Sequence, residues 1–171
     1  MKNIVLTGFM GTGKTEVGKI LSERLSFKLI DSDNVIEQEQ KMSITDIFRQ
    51  QGEAVFRDIE SDVIKRLSEM DSAVISTGGG VVLRQDNIKN LRKKGIIVCL
   101  TATAETILKR VQDNNDRPLL QVENPLQKIN ELLLVREPYY RNTDISIDTE
   151  GKGPEDIARE ILKKLHINCL S

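Results

Sequence analysis

The chain has 171 residues, a net charge of −1 and two cysteines. That length supports one domain, 1–171, with a full core and is too short for two of ordinary size. The charge balance excludes a surface built to draw in nucleic acid or anionic membrane, and Cys99, in an apolar run, and Cys169, near the end, make neither a disulfide framework nor a metal-binding spacing.

Short apolar strands alternate with amphipathic helices. Ile4-Val5-Leu6 reads as a buried strand, and Val17, Ile20, Leu21 and Leu25 mark the inner face of the helix that follows. Phe27–Ile30 is a second strand that ends in Asp31-Ser32-Asp33. Ile36, Ile44, Ile47 and Phe48 fit one or two short helices. Val55, Phe56, Ile59, Val63, Ile64 and Leu67 predict a longer helix with one apolar face. Ala73–Thr77 is the third strand and runs into Gly78-Gly79-Gly80. A basic helix then carries Ile88 and Leu91 inward, with Gly95 as its stop signal. Ile96–Leu100 is a fourth strand and 103–111 a helix. Residues 112–124 are polar, without apolar period, and have the composition of a lid. A helix from Pro125 to Glu137, a fifth strand at Ile145–Ile147 and a last helix with Ile157, Ile161 and Leu165 complete the chain. There is no secretory leader pattern and no apolar run of bilayer length, so the expectation is a soluble, cytosolic protein.

Such alternation predicts an α/β fold: a parallel sheet with right-handed crossovers and helices on both faces. Ligands in such sheets lie outside the carboxyl ends of the strands. The groups with chemistry follow strands one, two and three, so one cleft should gather them.

The first of these groups is Gly8-Phe9-Met10-Gly11-Thr12-Gly13-Lys14-Thr15, a G-x-x-x-x-G-K-T loop between strand and helix. Its glycines let backbone N–H groups converge on an anion, and the helix N-terminus adds partial positive charge. Lys14 can reach the outer phosphates and the Thr15 hydroxyl can ligate Mg²⁺. A turn without a ligand would need neither the Lys-Thr pair nor so many glycines, and the loop reads as a nucleoside-triphosphate site. Asp31 and Asp33 can cap the next helix, or serve Mg²⁺ and accept a proton from an acceptor hydroxyl. Three consecutive glycines point to close approach of a small ligand to bare backbone. Arg57 and Glu60 can pair on one helix face, which by itself fits a solvated ion pair. Arg117 in the polar segment suits a charge that arrives late, or a plain surface arginine. Arg136 ends a helix and can simply complement its dipole. His166 reads as a surface residue.

Taken as an ordered set, the Gly8–Thr15 loop, Asp31-x-Asp33, Phe56-Arg57-x-x-Glu60, Gly78-Gly79-Gly80, Arg110 with Arg117-Pro118-Leu119-Leu120, and Arg136 before Tyr139-Tyr140 resemble shikimate kinase along nearly the whole chain. The resemblance implies a three-layer P-loop kinase fold with sheet order 2-3-1-4-5, a substrate-binding region at 33–62 and a lid at 112–124. It implies ATP and Mg²⁺ as cofactors, shikimate as small-molecule acceptor, phosphorylation of its 3-hydroxyl in aromatic amino-acid biosynthesis, and a monomer without nucleic-acid or membrane partners. Position by position, Lys14, Asp33 and Arg117 would be catalytic. Gly11, Thr12, Gly13, Lys14, Thr15, Glu16, Arg110, Arg117 and Lys152 would hold the nucleotide, with Arg110 on the adenine. Asp33, Arg57, Gly79, Gly80 and Arg136 would hold shikimate, the two arginines on its carboxylate, while Thr15 and Asp31 would serve the metal. Lys152 stands where the family usually has a further basic residue, and Thr143-Asp144 replaces its usual Ala-Asp. A gluconate kinase is the nearest enzymatic alternative, and a nucleotide-binding regulatory homologue without catalysis is the other. The triple glycine and Phe56-Arg57-x-x-Glu60 argue against the first, and the intact Lys14, Asp33 and arginines against the second.

Overall fold

A computed structural model describes residues 2–111 and 122–167. In chain order it contains β1 (Asn3–Gly8), α1 (Lys14–Leu25), β2 (Lys28–Asp31), α2 (Ser32–Gln40), α3 (Ile44–Leu67), β3 (Ala73–Ser76), a 3-10 turn (Val81–Leu83), α4 (Gln85–Lys94), β4 (Gly95–Thr101), α5 (Ala104–Val111), α6 (Pro125–Tyr140), β5 (Ile145–Asp148) and α7 (Pro154–Lys164). The strands form one parallel sheet in the order β2-β3-β1-β4-β5. Among the described residues no helix is long and apolar enough to cross a membrane.

The apolar residues of the strands divide between two layers by the two-residue period of an extended chain. Val5, Ile75, Ile97 and Cys99 enter one core with α3, α4, α5 and α6. Ile4, Leu6, Val74, Val98, Leu100 and Ile147 enter the other with α1 and α7. Every residue of β1 is buried, including Asn3, whose amide donates to Met70 O at 2.7 Å and accepts from Ala73 N at 2.9 Å. β1 therefore sits at the centre of the sheet, and whatever follows it opens at the middle of the carboxyl edge.

Three local expectations change. Val55 is exposed, so the apolar face of α3 is made by Phe56, Val63, Ile64 and Leu67. Gly52, at φ 86 and ψ 167, breaks α3 into 44–51 and 53–67, which is why two periodic segments stand side by side in the sequence. Gly95 does not end α4 in the left-handed conformation of a helix stop; its backbone is extended and opens β4. Glycine is needed there because a Cβ would come within 2.7 Å of Leu91 O and 2.9 Å of Val5 Cγ2. Thr143-Asp144 fastens the edge strand: Asp144 Oδ2 accepts from Ile97 N at 2.8 Å, and the Thr143 hydroxyl lies 2.8 Å from Ile97 O.

Candidate active site

The loop after β1 turns at Gly8, whose φ of 129 brings the chain so close to Leu100 O that a side chain would collide with it. It ends at Gly13, which occupies the N-cap of α1 in the left-handed region and offers no side-chain cap. The first N–H groups of α1 thus lack the usual internal acceptor, the arrangement that receives an anion. Lys14 Nζ donates to Gly8 O at 2.8 Å and to Phe9 O at 2.9 Å, and Thr12 Oγ1 to Phe9 O at 2.8 Å, so the loop is held from within. Thr15 and Glu16 are exposed in the first turn, and Glu16 pairs with Lys19 at 2.8 Å.

On one flank, Arg110 ties this loop to the segment after β5. Its Nη1 donates to Gly11 O at 3.3 Å and to Thr149 Oγ1 at 3.0 Å. Lys152 lies in the same segment, on Asp148 O at 2.9 Å and Glu160 at 2.7 Å, and that pairing holds the Glu160 carboxyl below its ordinary range. Arg110 therefore joins the two loops that flank one side of the phosphate site.

On the other flank β2 ends at Asp31, in register with Ser76 of β3, which is in turn in register with Leu6 of β1. Asp31 caps α2: its Oδ1 accepts from Asp33 N at 3.0 Å and Asn34 N at 3.2 Å. Because the strand has stopped, Asp33 belongs to the first turn of α2, and its carboxylate lies against the triple glycine; a Cβ on Gly78 would be 2.6 Å from Asp33 Oδ1. Ser32, fully buried, accepts from Gly78 N at 3.2 Å and fixes that approach.

None of the three consecutive glycines has positive φ. Their bareness makes room for the protein's own side chains as well as for any ligand. A Cβ on Gly80 would overlap the Arg57 guanidinium, and one on Gly79 would lie 3.4 Å from Gly8 O and from Met10 N and 3.7 Å from Arg136 Nη1. The sheet edge, the loop and both arginines therefore converge on Gly78–Gly80.

Arg57 and Glu60 are not a solvated pair. Arg57 is 9% exposed and Glu60 1%, with Nη1 on Glu60 Oε2 at 2.8 Å, and Glu53 adds a second carboxylate at 3.2 Å. Phe56 and Phe48 lie under the guanidinium at 5.0 and 5.9 Å. Burial pushes the Glu60 carboxyl above its ordinary value, against the pull of Arg57. Arg136 does not end its helix either. α6 continues through Pro138 to Tyr140, and Arg136 is 5% exposed with its guanidinium 5.5 Å from the Phe9 ring. A buried cation facing a loop is poorly explained by the helix dipole and well explained by an anionic ligand.

The structure thus brings together Asp33, Arg57, Gly79, Gly80 and Arg136 beside the loop that carries Gly11–Glu16. Arg110 and Lys152 stand on the opposite flank. Arg117, Cys169 and most of the expected lid lie outside the described residues. Sequence reasoning missed Ser32, Glu53 and Tyr140. For Tyr140 a signal existed, since it stands four residues after Arg136 on the same helix face; for Ser32 there was none.

The family model for shikimate kinase matches residues 10–166. The chain is 52% identical to a shikimate kinase of Thermodesulfovibrio yellowstonii over 164 residues, 96% of this chain and 95% of that one. Among solved structures, shikimate kinase from Acinetobacter baumannii in complex with shikimate superposes with a TM-score of 0.94 at 40% identity, covering 100% of this chain and 96% of that one. A gluconokinase from Sinorhizobium meliloti, at 19% identity and a TM-score of 0.59 over 96% of this chain and 91% of that one, shares the fold. With its loop, triple glycine and paired arginines converging on one edge of a β2-β3-β1-β4-β5 sheet, and with matches that span nearly its whole length, this chain belongs to the shikimate kinase family.

Proposed function

We propose that the protein transfers the γ-phosphoryl group of ATP to the 3-hydroxyl of shikimate, as a cytoplasmic monomer in the route to aromatic amino acids. The observation that carries this reading is the placement of two buried guanidinium groups, Arg57 and Arg136, at the bare backbone of Gly79 and Gly80, beside the phosphate loop. A small carboxylic acid with several hydroxyls calls for such a set: planar cationic forks for the acid and close backbone for the ring.

Gly11–Lys14 and the α1 N-terminus hold the phosphates, with Glu16 at the rim and Arg110 and Lys152 on the adenine side. Mg²⁺ fits as an ion shared with the nucleotide. Thr15 offers an exposed hydroxyl, and Asp31 has Oδ2 left after its Oδ1 caps α2. Among the described residues no group of three metal-binding side chains stands together, so the phosphates and water would complete the coordination. When bound, the ion neutralises charge that develops on the transferring group. Asp33 receives the acceptor hydroxyl and takes its proton, and its seat against Gly78 keeps the carboxylate in place. Lys14 and Arg117 stabilise the phosphoryl group in transit, Arg117 from the segment proposed as a lid.

A coupled assay of ADP release with shikimate, with gluconate and without acceptor tests the reading. Release should depend on shikimate; equal or greater release with gluconate, or release that ignores both acceptors, would overturn it.

A further inference from the structure

Tyr140 closes α6 one turn after Arg136, and its side chain does something the packing of an aromatic ring does not require. The hydroxyl donates to Gly79 O at 2.7 Å, across 61 residues of sequence. Burial pushes the phenol up to about 12, against the downward pull of Arg136, so the donor stays protonated at any working pH. Gly79 is also the glycine wedged against the phosphate loop.

The described chain contains no cis peptide bond. In a trans peptide the carbonyl of one residue and the N–H of the next point in opposite directions. Holding Gly79 O on Tyr140 therefore turns the Gly80 N–H away from α6. Within the described residues Gly80 O accepts from Leu83 N at 3.0 Å, whereas the Gly80 N–H makes no hydrogen bond of its own. Tyr140 itself is buried and belongs to the core between the sheet and α3–α6. Its hydroxyl bond ties the end of α6 directly to the glycine turn.

We propose that Tyr140 is a positioning residue for acceptor binding: by holding the Gly79 carbonyl it aims the Gly80 N–H at the substrate, beside the Arg57 and Arg136 guanidinium groups. This rests on the shikimate reading given above. Tyr140 touches no reacting atom and acts through one peptide unit. A phenol that merely satisfies its own buried hydroxyl would affect stability alone.

The test is Tyr140→Phe in the full chain, with Tyr139→Phe, at a residue 38% exposed, as neighbouring control. Shikimate KM should rise about five- to tenfold, the effect of one hydrogen bond, while the ATP KM stays within about twofold. In protein labelled with ¹⁵N-glycine, the Gly80 amide signal should move on shikimate addition in wild type and Tyr139→Phe, and move much less in Tyr140→Phe. Equal shikimate KM and an equal Gly80 response in Tyr140→Phe would overturn the proposal, even if its melting temperature falls. If wild type itself shows no response to shikimate in either measurement, the functional reading fails first and takes this proposal with it.

Discussion

Glu60 Oε2 accepts from Arg57 Nη1 at 2.8 Å inside the protein, one helical turn apart on α3, and the same guanidinium rests on Gly80. The pair is an internal brace for the acceptor site. Burial sets the carboxyl of this pair apart from an exposed one: it is pushed toward its neutral form.

That difference has a measurable sign. Glu60 has a folded pKa raised above 4.5. Its contribution to stability is complete below 4.5 and is lost as pH rises through the higher folded value. Glu60→Gln removes the titration. Urea unfolding across this range should therefore show the variant gaining on wild type as pH rises. The opposite trend would mean that attraction to Arg57 outweighs burial. The variant should also bind shikimate less well, because Arg57 keeps Glu53 alone as its acidic partner.

Arg57→Ala should weaken shikimate binding by about 1.5–3 kcal/mol, one to two decades in Kd, and leave ATP binding nearly unchanged. Arg57→Lys should be impaired as well, since an ammonium keeps the charge without the planar fork. Calorimetric titration with shikimate and with its neutral carboxamide separates the roles. Wild type should prefer the acid strongly and Arg57→Ala far less; equal preference in both proteins would remove Arg57 from the carboxylate.

Gly80→Ala places a methyl group where the Arg57 guanidinium now lies. The end of a long side chain can swing away, so the fold should lose only about 1 kcal/mol, on the scale of a typical single substitution. Shikimate affinity should nevertheless fall about as far as in Arg57→Ala. A stable variant with wild-type shikimate KM would show that the arginine's present seat is not the one that matters.

Lys14→Ala should lower kcat at least about a hundredfold, by the loss of charge stabilisation in the transition state. Circular dichroism checks that the loop's loss of two internal bonds leaves the sheet intact. Arg117→Ala should lower kcat more than it raises shikimate KM, the mark of a contact made late in the reaction. Wild-type turnover in either variant would remove that residue from the chemistry.

Much of this site could be read before any coordinates because its parts are local. A glycine loop between a strand and a helix, and an Arg-x-x-Glu spacing on a helical period, carry their geometry with them. The triple glycine was legible as a site of close approach, but the protein side chains that approach it were not. Asp33 and Arg57 reach Gly78 and Gly80 from α2 and α3, and no periodicity encodes a contact between elements. Val55 looked internal because it stands next to Phe56 in the apolar run, yet neighbouring residues on a helix point in different directions and Val55 turns to solvent. Arg136 looked terminal, yet α6 continues past it through Pro138 to Tyr140.

The central position of β1 has a consequence for how the molecule comes into being. β1 leaves the ribosome well before its partners, Val74–Ser76 on one side and Gly95–Leu100 on the other. Until those segments have been synthesised its edges have nothing to pair with, and Gly8 cannot settle against Leu100. Contacts so distant in sequence form slowly and late. The loop that is most recognisable in the sequence therefore acquires its shape only after Leu100 has been synthesised. Over that interval a six-residue strand, buried throughout in the finished protein, is the segment with most to gain from a chaperone's cover.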